Sequence, residues 1–265
     1  MTAQTTVQTA SVRTLDLGGG HVAAAVVRDA REHRIDGRAI VVNCGTRDAY
    51  VAEPPRRPIP PLTSTIVEDT TVAEAGLLLV LRTGDEDAAD IAGITRAPGW
   101  ARLGALLGER IADGPGTTGG LPFDARIPLW RGPQETVGRV AFDPAHLLRE
   151  APAAGREESF EVRVNLWFAP AGTDCFIHNR HDFIEVHTQV AGRGRMQKFR
   201  RQDHGTLYQD LPMSPGYTTP EPFCSLGSDG AFVYPWHQYR ADTDCVWLAV
   251  EYHRLTSVEY SGART

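Results

Sequence analysis

Residues 172–194 read GTDCFIHNRHDFIEVHTQVAGRG, and this stretch decides the fold that we expect for the chain. Apolar and polar side chains alternate over residues 184–190, which is typical of a strand with two different faces. Because successive side chains of a strand point to opposite faces, Glu185, His187 and Gln189 share one face. A row of polar side chains is costly to bury unless it is hydrogen-bonded or binds something. The stretch therefore predicts a strand whose polar face forms part of a site.

Further strand-like segments lie on both sides of this stretch. The clearest is residues 159–168, SFEVRVNLWF, in which apolar and polar residues alternate. Other short segments have a similar composition: residues 38–42, 76–82, 136–142, 232–234 and 245–252. Many short strands separated by turn formers, here 26 Gly and 18 Pro, predict an all-β protein of the sandwich or barrel type.

Helical patterns are sparse, and the sequence predicts only one or two short helices. The better candidate is residues 100–111, WARLGALLGERI, where Leu103, Leu107 and Ile111 recur at helical spacing. Residues 22–33 are a second, weaker candidate.

Histidine and glutamate side chains are concentrated around the deciding stretch. Four of them lie within ten residues: His178, His181, Glu185 and His187. A fifth candidate, His237, lies in the segment 234–244, YPWHQYRADTD. Imidazole and carboxylate ligands together suit first-row transition metals, and a facial set of such ligands leaves positions open for other molecules.

The spacing of these residues resembles the first metal motif of the cupin superfamily. In that motif a Gly and a His-x-His pair are separated by five residues, and a following Glu and a second Gly by six. Here five residues separate Gly172 from His178, and six residues separate Glu185 from Gly192.

The segment around His237 resembles the looser second motif of the same superfamily. Pro235 and His237 precede the apolar strand VWLAVEY, although the Pro-to-His spacing is short and the Gly of the motif is absent. The resemblance covers residues 159–255 and implies a double-stranded β-helix, the jelly-roll barrel of cupins, around a small polar pocket.

The resemblance implies that His178, Glu185 and His237 hold a divalent metal, Fe(II) first, with Mn, Ni or Zn as alternatives. Arg180 stands where the cupin motif has its second histidine. The neighbouring His181 becomes a fourth ligand if a bulge or turn delivers it inward. In another interpretation Arg180 forms an ion pair with Glu185, and the pocket holds no metal.

Residues beside the motif are assigned roles in substrate chemistry. His187 is a candidate acid or base, because an imidazole titrates near neutral pH. Arg180 is a candidate partner for a substrate carboxylate. Gln189 and Trp236 are candidate substrate contacts, each with a structural alternative, backbone hydrogen bonding and packing respectively. Two ionisable residues near the end of the last strand are predicted to be structural: Glu251 and His253.

The composition favours a small-molecule partner. With 27 Lys and Arg against 33 Asp and Glu, the net charge is −6, which offers no bulk attraction to nucleic acid or to anionic lipid. No apolar stretch approaches the ~20 residues that span a bilayer. The four cysteines are far apart and form no CxxC pair, so we expect reduced thiols in a cytoplasmic protein: Cys44, Cys175, Cys224 and Cys245.

The polar segment 148–158 suggests a boundary between two parts of the chain. Residues 1–150 then form a strand-rich N-terminal half, and residues 151–265 form the cupin barrel that carries the site. The two halves are compatible with a bicupin, a duplicated barrel whose first copy has lost its motif. Since cupin-like proteins often pair through sheet edges, we expect a homodimer by analogy.

Three functional hypotheses follow from the predicted pocket. The first is a metal-dependent enzyme acting on a small polar molecule, with an Fe(II) dioxygenase or related oxidoreductase as its most specific form. The second is a non-redox isomerase, epimerase or lyase on the same barrel. The third is a ligand-binding cupin without catalysis. The fold alone does not choose among them.

Overall fold

The computed structural model describes five segments of the chain: residues 10–83, 90–111, 124–150, 156–219 and 224–255, with the side chains of 108–111 excluded. Within them, antiparallel strands form three main sheets and one two-stranded sheet. The all-β prediction is therefore confirmed. No helix in the described segments is both long and apolar enough to cross a membrane.

The N-terminal sheet has five strands in the order β1-β2-β5-β3-β4. Their bounds are β1 Ser11–Leu15, β2 Val22–Asn43, β3 Ala49–Val51, β4 Pro58–Ile59 and β5 Ser64–Thr83. β2 and β5 pair over almost their whole lengths, with several register shifts along the ladder.

The helix predicted for residues 22–33 is wrong, because these residues form the first part of β2. Val22, Ala24 and Val26 are buried in the core, whereas Ala23 is exposed, which is the alternation of a strand. Pairing with β5 satisfies the backbone over this segment, and it overrides the helical preference of the alanine-rich sequence.

The central sheet has the order β10-β16-β9-β7-β6, and β8 also pairs with β9. Its strands are β6 Ala101–Arg102, β7 Trp130–Arg131, β8 Glu135–Phe142, β9 Glu158–Ala169, β10 Phe183–Ala191 and β16 Cys245–Arg254. Three of them, β6 to β8, precede residue 150, so this sheet draws on both sides of the predicted boundary. The two-part division and the duplicated barrel stay predictions, and residues 151–155 lie outside the described segments.

The outer sheet has three strands in the order β12-β11-β15. These are β11 Gly194–Phe199, β12 Leu207–Met213 and β15 Trp236–Ala241, while β13 Ser225–Leu226 and β14 Phe232–Val233 pair separately. Helix α1, Leu103–Ile111, confirms the better helix prediction. It begins after Ala101 and Arg102, because these two residues pair with β7. The remaining helical segments among the described residues are α2, Pro144–Leu147, and the 3₁₀ turns Ile91–Arg96 and His204–Thr206.

The central sheet lies between the other two main sheets. Its apolar face, represented by Val162, Leu166 and Val250, belongs to one buried core together with Leu77 and Leu79 of the N-terminal sheet. The opposite face alternates with it along each strand and lines a cavity beside the outer sheet. The period-two pattern of the sequence thus separates a packing face from a site face.

The chain crosses twice between the central and outer sheets at one end of the barrel. The β10–β11 crossing contacts the β15–β16 crossing, where the backbone N–H groups of Asp242 and Thr243 donate to the Arg193 carbonyl at 3.0 and 3.1 Å. Residues before β10 pair in turn with β15 at Asp174↔Arg240 and His178↔His237. This exchange of antiparallel segments between facing sheets is the double-stranded β-helix that the motif predicted.

Candidate functional site

Three histidines converge at the mouth of the barrel. His178 lies in the segment before β10, and its N–H and carbonyl exchange backbone hydrogen bonds of 3.0 and 2.8 Å with those of His237 on β15. This pairing places the two imidazoles together, with ring centroids 4.4 Å apart. His181 lies in the turn between His178 and β10, and the turn directs its ring towards the other two. A turn, rather than a bulge within the strand, therefore delivers His181.

The facing nitrogens have the spacing of a metal-ligand set. His181 Nε2 lies 3.0 Å from His178 Nε2 and 3.2 Å from His237 Nε2. One ligand atom from each of the three residues lies within 4.8 Å of the other two. Two nitrogens that are each about 2.1 Å from a metal, at a right angle, are about 3 Å apart. The three side chains therefore have a spacing that suits the binding of one ion.

Backbone carbonyls fix the tautomers of two of these imidazoles. His178 Nδ1 donates to the Phe176 carbonyl at 3.0 Å, and His237 Nδ1 donates to the Pro235 carbonyl at 2.8 Å. Because a carbonyl only accepts, the proton of each neutral ring lies on Nδ1 and the lone pair on Nε2 faces the cluster. Phe176 offers its carbonyl from a left-handed backbone conformation, φ 122°, and its ring stacks on His178.

Burial keeps these imidazoles neutral, as metal ligands must be. Desolvation lowers the pKa of His178, lowers that of His181 to about 4, and lowers that of His237 well below its ordinary value. Each neutral ring therefore presents a lone pair at neutral pH, and a cation at the centre would be shared by all three.

We predict that the metal-free protein loses stability as the pH falls from about 6.5 towards 4. The unfolded chain binds protons at these histidines in this range, whereas the folded chain does not, because its imidazoles have lowered pKa values. Each such group lowers the free energy of unfolding by about 1.4 kcal/mol per pH unit. Urea unfolding at pH 7, 6 and 5 measures this slope.

The slope should become shallower in His181→Phe and stay unchanged in His204→Gln, which alters an exposed histidine in a 3₁₀ turn. A free energy of unfolding that is the same at pH 7 and pH 5 would contradict the prediction.

Glu185 and His187 form a second part of the site on β10. Glu185 is 5% exposed, with Oε1 2.9 Å from His187 Nε2 and Oε2 3.9 Å from His181 Nε2. Burial alone would raise the pKa of Glu185, but the neighbouring His187 and His181 outweigh it and hold the pKa at about 2. The carboxylate is therefore charged, and it faces the histidine cluster as an additional oxygen donor.

Tyr234 fixes the beginning of β10, although the sequence analysis assigned it no role. Its hydroxyl donates to the Phe183 carbonyl at 2.8 Å and accepts from the Glu185 N–H at 2.9 Å. Its ring lies 4.6 Å from that of His181. Tyr234 thereby holds the strand that carries Glu185 against the turn that carries His181.

The remaining predicted site residues lie at different distances from the cluster. Arg180 lines the cavity, is exposed, and makes no ion pair with Glu185 in the described structure. Gln189 is fully buried farther along β10 and donates to the Ala191 carbonyl at 2.6 Å. Trp236 lies next to His237 on β15, but neither it nor Gln189 is among the described residues that line the cavity. Their predicted substrate contacts stay predictions.

A cavity of about 410 Å³ opens beside the histidines. Its wall on the central sheet includes a buried carboxylate, Glu251, which is 4% exposed. Glu251 accepts hydrogen bonds from Asn165 at 2.7 Å and from Gln134 at 2.8 Å, and lies 2.7 Å from His253 Nε2. Both Glu251 and His253 line the cavity, although only structural roles were expected for them. The signal that could have revealed this is the alternation along the last strand, where both residues lie on the face opposite the apolar one.

The fold and the site together define a cupin-type barrel with a candidate metal centre. No protein-family model matches the sequence, and no curated protein matches it. The chain is similar to solved structures of cupin type. One is a protein of unknown function of the DUF861 family from Pseudomonas syringae pv. tomato str. DC3000. It has 12% sequence identity and a TM-score of 0.29, and the match covers 90% of this chain and 85% of that one.

Two other similar structures match smaller parts of this chain. An RmlC-like cupin protein from Desulfovibrio desulfuricans has 17% identity and a TM-score of 0.24, over 35% of this chain and 70% of that one. Ectoine synthase from P. lautus has 20% identity and a TM-score of 0.24, over 40% of this chain and 62% of that one, less than two thirds of its length. The strand pairing described above, rather than any of these similarities, establishes the fold.

Proposed function

We propose that this protein is a metal-dependent enzyme that acts on a small polar molecule. The observation that supports the proposal is the convergence of the Nε2 atoms of His178, His181 and His237 beside a cavity of about 410 Å³. Such a volume is near the lower end of small-molecule pockets. A bound divalent metal would supply Lewis acidity and open positions for a substrate oxygen.

The protein's own groups supply the proton chemistry in this proposal. Glu185 Oε1 lies 2.9 Å from His187 Nε2, which is ion-pair distance when the imidazole is protonated. His187 lines the cavity, and both of its ring nitrogens are buried without a hydrogen-bond partner among the described residues. A substrate that reaches Nδ1 can therefore exchange a proton there, with Glu185 stabilising the charged ring.

In its more specific form, the proposal is an Fe(II) dioxygenase or related oxidoreductase. His178, His181 and His237 would hold the iron, since imidazole ligands suit ferrous iron, and the adjoining cavity would admit substrate and oxygen. Nitric oxide tests this without knowledge of the substrate, because it occupies an open position of ferrous iron and gives a characteristic electron paramagnetic resonance spectrum. We expect that spectrum from Fe(II)-loaded protein and not from His178→Ala treated identically. Its absence from iron-loaded protein would rule out the dioxygenase.

The contact between Glu185 and His187 favours a second candidate, a non-redox isomerase, epimerase or lyase. A carboxylate-oriented imidazole beside a metal performs proton transfer without oxygen. Oxygen consumption separates the two candidates: a dioxygenase requires oxygen for turnover, whereas an isomerase or lyase works under argon.

A homodimer also remains a proposal, and the molar mass measured by light scattering tests it.

A further inference from the structure

We infer that the cavity contains an anion subsite, centred on Arg131, that binds the carboxylate of the substrate. This inference deepens the proposed function, because it names the class of small molecule that the cavity selects. It rests on a row of hydrogen-bond donors on the wall of the central sheet.

The row runs across three neighbouring strands in register. Arg131 on β7 is the cross-strand partner of Trp167 on β9, and Trp167 is the partner of Trp247 on β16. Directly opposite side chains on one face of a sheet are about 5 Å apart. All three residues line the cavity that also contains the three histidines, so one molecule in the cavity is exposed to both groups.

Each member of the row has a buried nitrogen that lacks a hydrogen-bond partner among the described residues. These atoms are Arg131 Nε and the indole Nε1 atoms of Trp167 and Trp247. Buried polar groups usually have partners, and an N–H group can only donate. The missing partner is therefore an acceptor, and an oxyanion beside a guanidinium fits best.

Arg131 is the cavity cation most available for this role. Arg163 Nε lies 2.6 Å from Glu161 Oε1, so its charge is already paired, and Arg180 is exposed. Arg131 makes no ion pair in the described part of the chain, and its guanidinium carbon lies 6.0 Å above the Trp167 ring, which holds it at the wall. Arg180 stays the alternative partner for the substrate carboxylate, and it lines the same cavity.

The remaining charges of the cavity favour a carboxylate over a phosphate. Glu185 and Glu251 are buried in the same wall, and they repel a dianion more strongly than a monoanion. The apolar rim of Leu103, Leu107 and Leu129 leaves room for a carbon skeleton next to the charged group.

Calorimetric titration with lactate, its uncharged amide lactamide, and inorganic phosphate tests the subsite. We expect lactate to bind the wild-type protein, and lactamide and phosphate to bind at least about tenfold more weakly. Arg131→Gln should weaken lactate binding about tenfold or more, because it removes a charged hydrogen bond. Trp167→Phe, which keeps the ring and removes only the N–H, should weaken it by a smaller factor and guards against a folding defect in the first variant.

Arg102→Gln is the matched control, because Arg102 lies on the adjacent strand, is exposed, and stacks on Trp130 outside the cavity. It should bind lactate as the wild-type protein does. The inference is overturned if lactate does not bind, if phosphate binds more tightly, or if Arg180→Gln removes binding and Arg131→Gln does not.

The titrations are run on metal-free and on Zn²⁺-loaded protein, with the metal content of each variant measured. Lactate binding that depends on Arg131 in metal-free protein supports the subsite. Failure of the protein to retain Zn²⁺ would contradict the metal-dependent enzyme but not the subsite. Conversely, retained Zn²⁺ with no Arg131-dependent binding contradicts only the subsite.

Discussion

Replacing His178 with alanine is expected to lower the affinity for a divalent metal by more than about 100-fold. Loss of an outer-shell partner typically costs 10- to 100-fold, and His178 provides one of the three nitrogens that meet at the centre. The same loss is expected for His237→Ala, since His178 and His237 are paired through their backbones and present equivalent Nε2 atoms. Metal titration of the chelator-treated protein, with Co²⁺ as a spectroscopic probe, measures both affinities.

His204→Ala is the control for these variants, because His204 is exposed and lies in a 3₁₀ turn away from the cavity lining. Glu185→Gln distinguishes a direct ligand from a neighbour of the centre. An effect as large as that of His178→Ala would make Glu185 a ligand, whereas a 10- to 100-fold effect would place it in the outer shell. Co²⁺ affinity that is the same in wild type and in His178→Ala would contradict the metal centre.

Replacing Gly192 with alanine is expected to destabilise the protein by about 3 kcal/mol or more. Gly192 has φ 73°, and a β-carbon built on it would lie 1.8 Å from the backbone carbonyl oxygen of Asp244. Neither crossing between the sheets can move freely, because Arg193 is hydrogen-bonded to both Asp242 and Thr243. The clash is therefore added to the left-handed strain of a non-glycine residue. Urea unfolding measures the difference.

The other motif glycine, Gly172, is a matched control. It has nearly the same backbone conformation, φ 79°, but no atom lies within 4 Å of an added β-carbon. Gly172→Ala should therefore cost only the backbone strain, about 1–2 kcal/mol. Equal destabilisation by the two substitutions would show that the contact with Asp244 is not what requires a glycine at position 192.

The two glycines of the motif are required for different reasons: both adopt a left-handed backbone conformation, and Gly192 also has no room for a β-carbon. Spacing along the sequence identified both Gly172 and Gly192, and the backbone of each is left-handed. Only the structure shows that a distant segment, residues 242–244, closes over one of them. A pattern in one stretch reports on local conformation, whereas contacts with another stretch depend on how the two sheets meet.

The candidate metal centre was likewise only partly predictable. His178 and His237 were identified from their resemblance to the two cupin motifs. Their backbone pairing explains how two residues that are far apart in the sequence come together at one site. The orientation of His181 depends on the path of a turn. The sequence did not decide whether this turn directs the imidazole towards the other two histidines. The bonds from Nδ1 to the carbonyls of Phe176 and Pro235 depend on backbone conformation, which side-chain types do not encode.

By itself, the sequence determined the all-β class, the strands around residues 159–168, 184–190 and 245–252, and the separation of a polar from an apolar face, and it offered His178, His181, Glu185 and His237 as candidate ligands. The class, the strands and the two faces follow from periodicity, which is a local property of the chain, and the ligand set follows from the resemblance to the cupin motifs. The tertiary structure alone decided that residues 22–33 form a strand, that Glu251 accepts hydrogen bonds from Asn165 and Gln134, and that Arg131 joins Trp167 and Trp247 in one row. Strand register brings these groups together across long stretches of chain, because pairing satisfies backbone hydrogen bonds between segments whose sequences do not reveal their partners.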